Sequence, residues 1–199
     1  DGQAVKHDGT TIYAGDTVLP ALPLDTDLRW SLLSRLATHG RAAAADIDTE
    51  LARDDTSAGR RHAAAVRAAL PTVEAKERAW HLVVERADTH NAEISAILGG
   101  FQQANQLELL APYADRYFDA IAEIWESRTG DTALTVADRL FPYLAIEQLT
   151  IDKINDYLRT AQPPAGLRRI LVEHRDSLAR ALRARALDAK AARAEQHRP

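Results

Sequence analysis

The sequence predicts an all-α fold, in which antiparallel helix hairpins stack into an irregular α-solenoid. Apolar residues recur at three- and four-residue intervals from residue 25 onward, as amphipathic helices require. Short polar stretches with Pro or Gly separate these segments, and short connections favour antiparallel neighbours. Of the 199 residues, 46% are hydrophobic and 27% are charged, which is sufficient for one large domain or two small ones.

The first predicted helix follows Asp25 or Thr26, whose side chains can accept hydrogen bonds from the free N–H groups at its start. Gly40 is suited to end this helix in the left-handed conformation. One stripe along the helix is apolar and contains Leu28, Leu32, Leu33, Leu36 and Ala37.

Three more helices are predicted before residue 90. The second covers residues 43–53, and the third covers residues 57–70, with Thr56 as its cap and Pro71 as its stop. The fourth opens at Thr72. Its apolar face contains Trp80, Val83, Val84 and Ala87.

The middle of the chain predicts a short helix, a turn and a longer helix. Asn91 is predicted to cap a fifth helix, which ends at Gly99 and Gly100. A short turn follows over residues 103–110, and Pro112 suits the first position of the next helix because it lacks an N–H. The stripe of that helix contains Tyr117, Ile121, Ile124 and Trp125.

The last third predicts helices over residues 133–141 and 150–159, after a break at Gly130. A long final helix begins near Ala165, and we expect its Ala-rich, charged end over residues 183–199 to fray. Residues 1–24 differ in composition from the rest. We interpret them as a tail or linker, or as the remnant of a preceding β domain, and residues 25–199 as the helical domain.

The chain lacks the residues that most catalytic and metal centres need. Cysteine is absent, which excludes disulfides, thiol catalysis and iron–sulfur clusters. None of the seven histidines precedes Glu, and no two lie within one helical turn, so a helical zinc site is not predicted. No phosphate-binding loop occurs. We therefore predict no catalytic residue and no metal ligand on this chain, although paired carboxylates, which are close in space rather than in sequence, stay open.

Charge and hydropathy also limit the partners. The net charge is −4, from 25 basic and 29 acidic residues, so we predict no nucleic-acid partner. The longest uncharged run lies between Glu93 and Glu108 and is too short for a membrane helix, so no membrane partner is predicted. No signal peptide is visible, and we expect a cytoplasmic location.

Some conspicuous residues are better explained by packing than by binding. Trp30, Trp80 and Trp125 lie on or beside apolar stripes and are predicted core anchors. His174 is predicted to be a core histidine. The basic pairs beginning at Arg60 and Arg168 have acidic neighbours, which favours solvated, ion-paired faces.

An ordered set of segments resembles the C-terminal helical domain of actinobacterial aminopeptidase N, a zinc metallo-aminopeptidase family. That domain is similar to the C-terminal domain of the endoplasmic-reticulum aminopeptidases. The resemblance covers about residues 25–187. It rests on residues 27–37, 47–59, 68–72, 99–101, 108–118, 167–176 and 179–184, together with Lys76, Trp80 and Trp125.

The resemblance implies a HEAT-like bowl of helices that caps the active site of an upstream catalytic domain. In this family, that upstream domain holds zinc through an H-E-x-x-H motif and a distant Glu, and this chain contains neither the motif nor methionine. We therefore expect this chain to be a processed or excised domain, with the zinc bound upstream. Its implied partners are the catalytic domain of the same polypeptide and peptide substrates.

Tyr113 and Arg116 are the candidate contacts to the substrate cleft. Helical spacing places them towards the flank of a core-facing stripe, where the Arg fork can pair with a peptide carboxylate and the Tyr hydroxyl can donate to it. In the alternative interpretation, Arg116 pairs on a solvated face with Asp115, Asp119 or Glu123.

A free-standing α-solenoid scaffold that binds protein partners on its concave face is the alternative function. The two interpretations differ in what the gene encodes upstream. A reading frame that extends several hundred residues and contains H-E-x-x-H would favour the aminopeptidase.

Overall fold

The computed structural model describes residues 5–7, 12–14, 17–18 and 25–196. Within residues 25–196 all regular structure is helical, which confirms the all-α prediction for this part of the chain. The helices are α1 (Thr26–Thr38), α2 (Ala44–Arg53), α3 (Ser57–Ala69), α4 (Val73–Trp80), α5 (Asn91–Phe101), α6 (Leu107–Ser127), α7 (Gly130–Arg139), α8 (Gln148–Thr160) and α9 (Ala165–Gln196).

Among the described residues, three short strands precede the helices. They are β1 (Val5–His7), β2 (Ile12–Ala14) and β3 (Thr17–Val18), and they form an antiparallel sheet in the order β1-β2-β3. The glycines and prolines on which the predicted tail and linker depended lie outside the described residues. Whether residues 1–24 belong to a tail, a linker or a β domain stays a prediction.

The predicted caps of the first helices are confirmed. Asp25 Oδ1 accepts a hydrogen bond from Leu28 N at 2.7 Å. Thr56 and Thr72 cap α3 and α4 in the same way, each accepting from the backbone N–H three residues on. Gly40 has φ +68°, so α1 is followed by the left-handed conformation that favours glycine.

The predicted limits of α5 are wrong at both ends. Asn91 is the first helical residue rather than the cap, and the carbonyl of His90 accepts from the N–H groups of Glu93 and Ile94 instead. The helix then continues through both glycines to Phe101. Gly100 does not end it because its role is close packing: a Cβ there would lie 1.9 Å from the carbonyl oxygen of Ala65 in α3.

Pro112 lies inside a helix rather than at its start. The second half of the predicted turn over residues 103–110 belongs to α6, which begins at Leu107, so Pro112 is the sixth residue of a 21-residue helix. Its missing N–H leaves the carbonyl of Glu108 without its helical donor. Both residues are exposed, which lets water supply that hydrogen bond.

The fourth helix changes its winding after Trp80. Residues 81–85 form a π-helical turn, closed by a 2.9 Å bond from Arg86 N to His81 O. Val83 is buried on the predicted stripe, whereas Ala87 lies beyond the turn and is exposed. The predicted face therefore ends before Ala87.

Alternate helices pack in a row. Helix α1 contacts α3, α3 contacts α5, α5 contacts α7 and α7 contacts α9. The even-numbered helices α2, α6 and α8 pack against the helix that follows each, and α4 packs against α3. The odd-numbered helices thus form one row, and each even-numbered helix packs against a neighbour in that row. The HEAT-like solenoid itself stays a prediction.

Two hydrophobic clusters form the core. The smaller contains Trp30 with residues of α1, α2 and α3, and the larger joins α3 to α9. Trp30 and Trp80 are 2% and 3% exposed, so their prediction as core anchors is confirmed. Trp125 is partly buried against the larger cluster.

Polar side chains connect the ends of the helices. Gln106 Nε2 donates to the carbonyl oxygens of Thr38 and Ala69, each at 2.9 Å, and thereby joins the end of α1 to the end of α3. Residues 183–193 of α9 are exposed, and α9 is helical to Gln196. Fraying of its end stays a prediction.

Candidate functional site

An open cleft lies between the start of α6 and the connection from α7 to α8. Its empty space, including the part that is open to solvent, is about 500 Å³. Gln102 fixes that connection because its Nε2 donates to the carbonyl oxygens of Arg139 and Phe141 at 3.2 and 2.7 Å. Glu147 is the acidic member of the wall. The other lining residues are mostly apolar: Phe101, Leu107, Leu110, Ala111, Tyr113, Pro142, Leu144 and Ala145.

Tyr113 belongs to the core as well as to the wall of the cleft. The side chain was expected at the flank of the stripe, but the residue is only 6% exposed. Its ring lies 5.1 Å from Phe101 and 5.3 Å from Trp80, between centroids. Its hydroxyl donates to Glu77 Oε1 at 2.5 Å. Burial, and then this hydrogen bond, raise the pKa of Tyr113, so the phenol stays a neutral donor.

Arg116 lies one turn further along α6, over the same aromatic rings. Its guanidinium carbon is 4.5 Å from the Trp80 ring and 4.9 Å from the Tyr113 ring. Arg116 Nη1 donates to Glu77 Oε1 at 2.7 Å, and Nη2 lies 3.7 Å from Glu85 Oε1. The side chain is 33% exposed, and Arg116 is not among the residues that line the cleft.

The partners that the alternative interpretation gave to Arg116 are wrong. The acidic groups beside it come from α4 and the π-helical turn, whereas Asp115 on its own helix pairs with Lys153. Helical spacing considers only neighbours on one helix, and the packing of α4 on α6 brings Glu77 closer. The hydrogen bond from Tyr113, together with Arg116, lowers the pKa of Glu77.

The π-helical turn accounts for the position of Glu85. In a regular α-helix a residue five positions after Trp80 lies about 140° further round the axis. The hydrogen bonds of a π-helical turn join residues five apart, so Glu85 is rotated less far from Trp80 than in an α-helix, and its Oε1 lies 3.7 Å from Arg116 Nη2. Sequence reasoning missed Glu77, Trp80 and Glu85 as parts of this site. Only the three-residue spacing of Glu77 and Trp80 could have suggested a shared face.

The remaining charged groups of interest are structural. His174 Nε2 lies 3.1 Å from Asp138 Oδ1 and its ring stacks on Phe141 at 4.1 Å, but its side chain is 18% exposed, so the predicted core histidine is only partly buried. Burial lowers the pKa of His174. Arg60 pairs with Asp55 at 2.6 Å, which confirms an ion-paired face at that basic pair.

The described residues form neither a metal centre nor a membrane-spanning helix. Over residues 5–7, 12–14, 17–18 and 25–196, no three His, Cys, Asp or Glu side chains lie together in a way that could hold a metal ion. Within the same ranges, every helix is too short or too polar to cross a bilayer.

Comparison with known proteins supports one family. The sequence profile of the ERAP1-like C-terminal domain matches residues 6–180, so the match begins earlier than the resemblance and includes β2, β3 and all of β1 except Val5. Aminopeptidase N from Streptomyces lividans is 45% identical over 178 residues, which is 89% of this chain and 21% of that protein. The chain spans about a fifth of the length of this relative. It belongs to the ERAP1-like C-terminal domain family.

Proposed function

We propose that this domain is the non-catalytic part of a zinc-dependent aminopeptidase, where it caps the active site and limits which peptides enter. The observation that carries this proposal is the 45% identity to an aminopeptidase N over nearly the whole chain. About four fifths of that relative lies outside the match, which leaves ample length for a catalytic domain. The cytoplasmic location expected from the sequence is part of the proposal.

The zinc belongs to the upstream catalytic domain in this proposal. The described residues of this chain do not fit a zinc site, because they bring no three suitable ligands together. Bound upstream, zinc would supply an activated water that attacks the first peptide bond. This chain contributes the shape of the cavity, exclusion of bulk water and a few polar contacts.

Tyr113 and Arg116 are the proposed contacts to the substrate. Both groups converge on one carboxylate oxygen of Glu77, at 2.5 and 2.7 Å. The pair therefore already has the geometry that a peptide carboxylate needs. Tyr113 also lines the apolar cleft, which could hold a neighbouring side chain of the peptide.

Substitution of Arg116 in the full-length enzyme tests this assignment. We expect Arg116→Ala to lower kcat/KM for longer peptides about tenfold, because a charged hydrogen bond contributes roughly 1.5–3 kcal/mol. Hydrolysis of a single-residue reporter should be spared, since it does not reach this domain. Arg169→Ala is the matched control, because that side chain is 73% exposed.

Two results would refute the assignment. If both substrates respond alike to Arg116→Ala, or if neither responds, Arg116 is a surface residue of the domain and not a substrate contact. An equal effect of Arg169→Ala would point to a general change in charge instead.

A further inference from the structure

One carboxylate oxygen of Glu77 receives two donors from α6. The hydroxyl of Tyr113 lies 2.5 Å from Glu77 Oε1, and Nη1 of Arg116 lies 2.7 Å from the same atom. A guanidinium and a hydroxyl that converge on one oxygen form a binding arrangement for a carboxylate. In this structure the chain itself supplies that carboxylate.

The two donors are held in place independently of Glu77. Tyr113 is 6% exposed, and its ring is packed between Phe101 and Trp80. The guanidinium of Arg116 lies over the rings of Trp80 and Tyr113, at distances where cation–π attraction is significant. The donors would therefore keep their positions if Glu77 turned away.

Glu77, judged by its burial and its packing, is the mobile partner of this arrangement. Its side chain is 51% exposed, so its carboxylate can rotate into water at little cost. Ion pairs with this exposure contribute little to stability. The buried hydroxyl of Tyr113, in contrast, requires an acceptor in whatever state the site adopts. Another carboxylate can provide that acceptor.

We propose that Glu77 is an exchangeable internal occupant of a carboxylate site formed by Tyr113 and Arg116, and that a ligand carboxylate binds by displacing it. This inference rests on the proposed function, in which Tyr113 and Arg116 contact substrate. It adds a regulating residue to that site. Glu85, 3.7 Å from Arg116 Nη2, adds negative potential and further weakens binding in the wild type.

Titration of the 199-residue chain with small carboxylates tests the exchange. The probes are N-acetylleucine, its amide, and the α-amide of N-acetylglutamate, and the readout is the NMR signal of the Trp80 indole. We expect Glu77→Ala to bind N-acetylleucine about tenfold more tightly than the wild type, and the amide to bind neither protein. Glu74→Ala is the matched control, because Glu74 is exposed on the same helix.

Further variants show whether Arg116 and Glu77 act as proposed. Adding Arg116→Ala to Glu77→Ala should abolish binding, and Arg116→Lys should reduce it, provided that far-ultraviolet circular dichroism shows the helices intact. Glu77→Gln should be intermediate, because its amide oxygen still accepts while its charge is gone. Binding of the glutamate amide as well would assign the site to acidic side chains in addition to peptide ends.

Three outcomes would overturn the exchange. They are a Glu77→Ala variant that binds no better than the wild type, equal binding of the leucine amide, and a wild type that stays unbound at concentrations well above those that saturate Glu77→Ala. These readouts need no peptidase activity. A failed peptidase assay would therefore refute the proposed function and leave the carboxylate site standing.

Discussion

Lys76 is a lysine in the interior of the helical domain. It is fully buried, and its Nζ donates to the carbonyl oxygens of Ala68 and Phe101 at 2.7 and 2.8 Å. These carbonyls lie at the C-terminal ends of α3 and α5, where the helix dipoles favour a cation. Burial nonetheless lowers the pKa of Lys76 to about 8.

Replacement of Lys76 by Met tests the contribution of these two hydrogen bonds. The apolar stem is kept, but two buried carbonyls lose their donor, so we expect unfolding free energy to fall by about 1–3 kcal/mol. Urea titration of both chains measures the difference. Lys190→Met, at an exposed position, should stay within about 0.5 kcal/mol of the wild type. An equal effect of the two variants would contradict the role of Lys76.

The same residue predicts a pH dependence of stability. Its folded pKa of about 8 lies below the usual 10.5, so the unfolded chain binds more protons between these pH values. The penalty for burying the charge is therefore complete below pH 8 and declines as the pH rises towards 10.5. We expect the stability of the wild type relative to Lys76→Met to increase over this window. A constant difference between the two proteins would exclude the lowered pKa.

At the scale of helices, the contact between α3 and α5 depends on one of two adjacent glycines. A Cβ at Gly100 would lie 1.9 Å from the backbone oxygen of Ala65, whereas a Cβ at Gly99 would meet the end of the Arg139 side chain at 3.3 Å. Gly100→Ala must therefore move two helices apart, while Gly99→Ala displaces a flexible side chain.

We expect the two substitutions to change the free energy of unfolding in opposite directions. Gly100→Ala should lower the free energy of unfolding by about 3 kcal/mol, because overpacking here involves backbone. Gly99→Ala should raise it by about 0.5–1 kcal/mol, because Ala is favoured over Gly inside a helix. Thermal or urea unfolding of both variants measures these changes. A Gly100→Ala variant as stable as the wild type would contradict the prediction, because it would show that α3 and α5 can move apart without cost.

At the scale of the molecule, the buried core of α1 to α9 predicts that the 199-residue chain folds without the catalytic domain proposed above. Two hydrophobic clusters are buried within the described residues. Side-chain hydrogen bonds cap the starts of α1, α3 and α4. Circular dichroism should show a strongly helical spectrum and a cooperative thermal transition. A spectrum dominated by strand, or a chain that stays unfolded alone, would contradict this prediction.

The sequence by itself determined the helical class and the starts of α1, α3, α4 and α9. Asp25, Thr56 and Thr72 cap through hydrogen bonds within three residues, and apolar stripes record which face of a helix is buried. Both depend on local spacing, which a sequence displays directly. The family resemblance was equally accessible, because it rests on sequence segments that occur in a fixed order along the chain.

Tertiary structure alone decided the roles of Gly100, Pro112 and Arg116. Gly100 continues α5 because α3 requires a close approach, and Pro112 is tolerated inside α6 because its turn faces water. Arg116 pairs with Glu77, which is 39 residues away in sequence. Contacts between distant helices depend on how whole faces pack, and no local spacing in the chain encodes that distance.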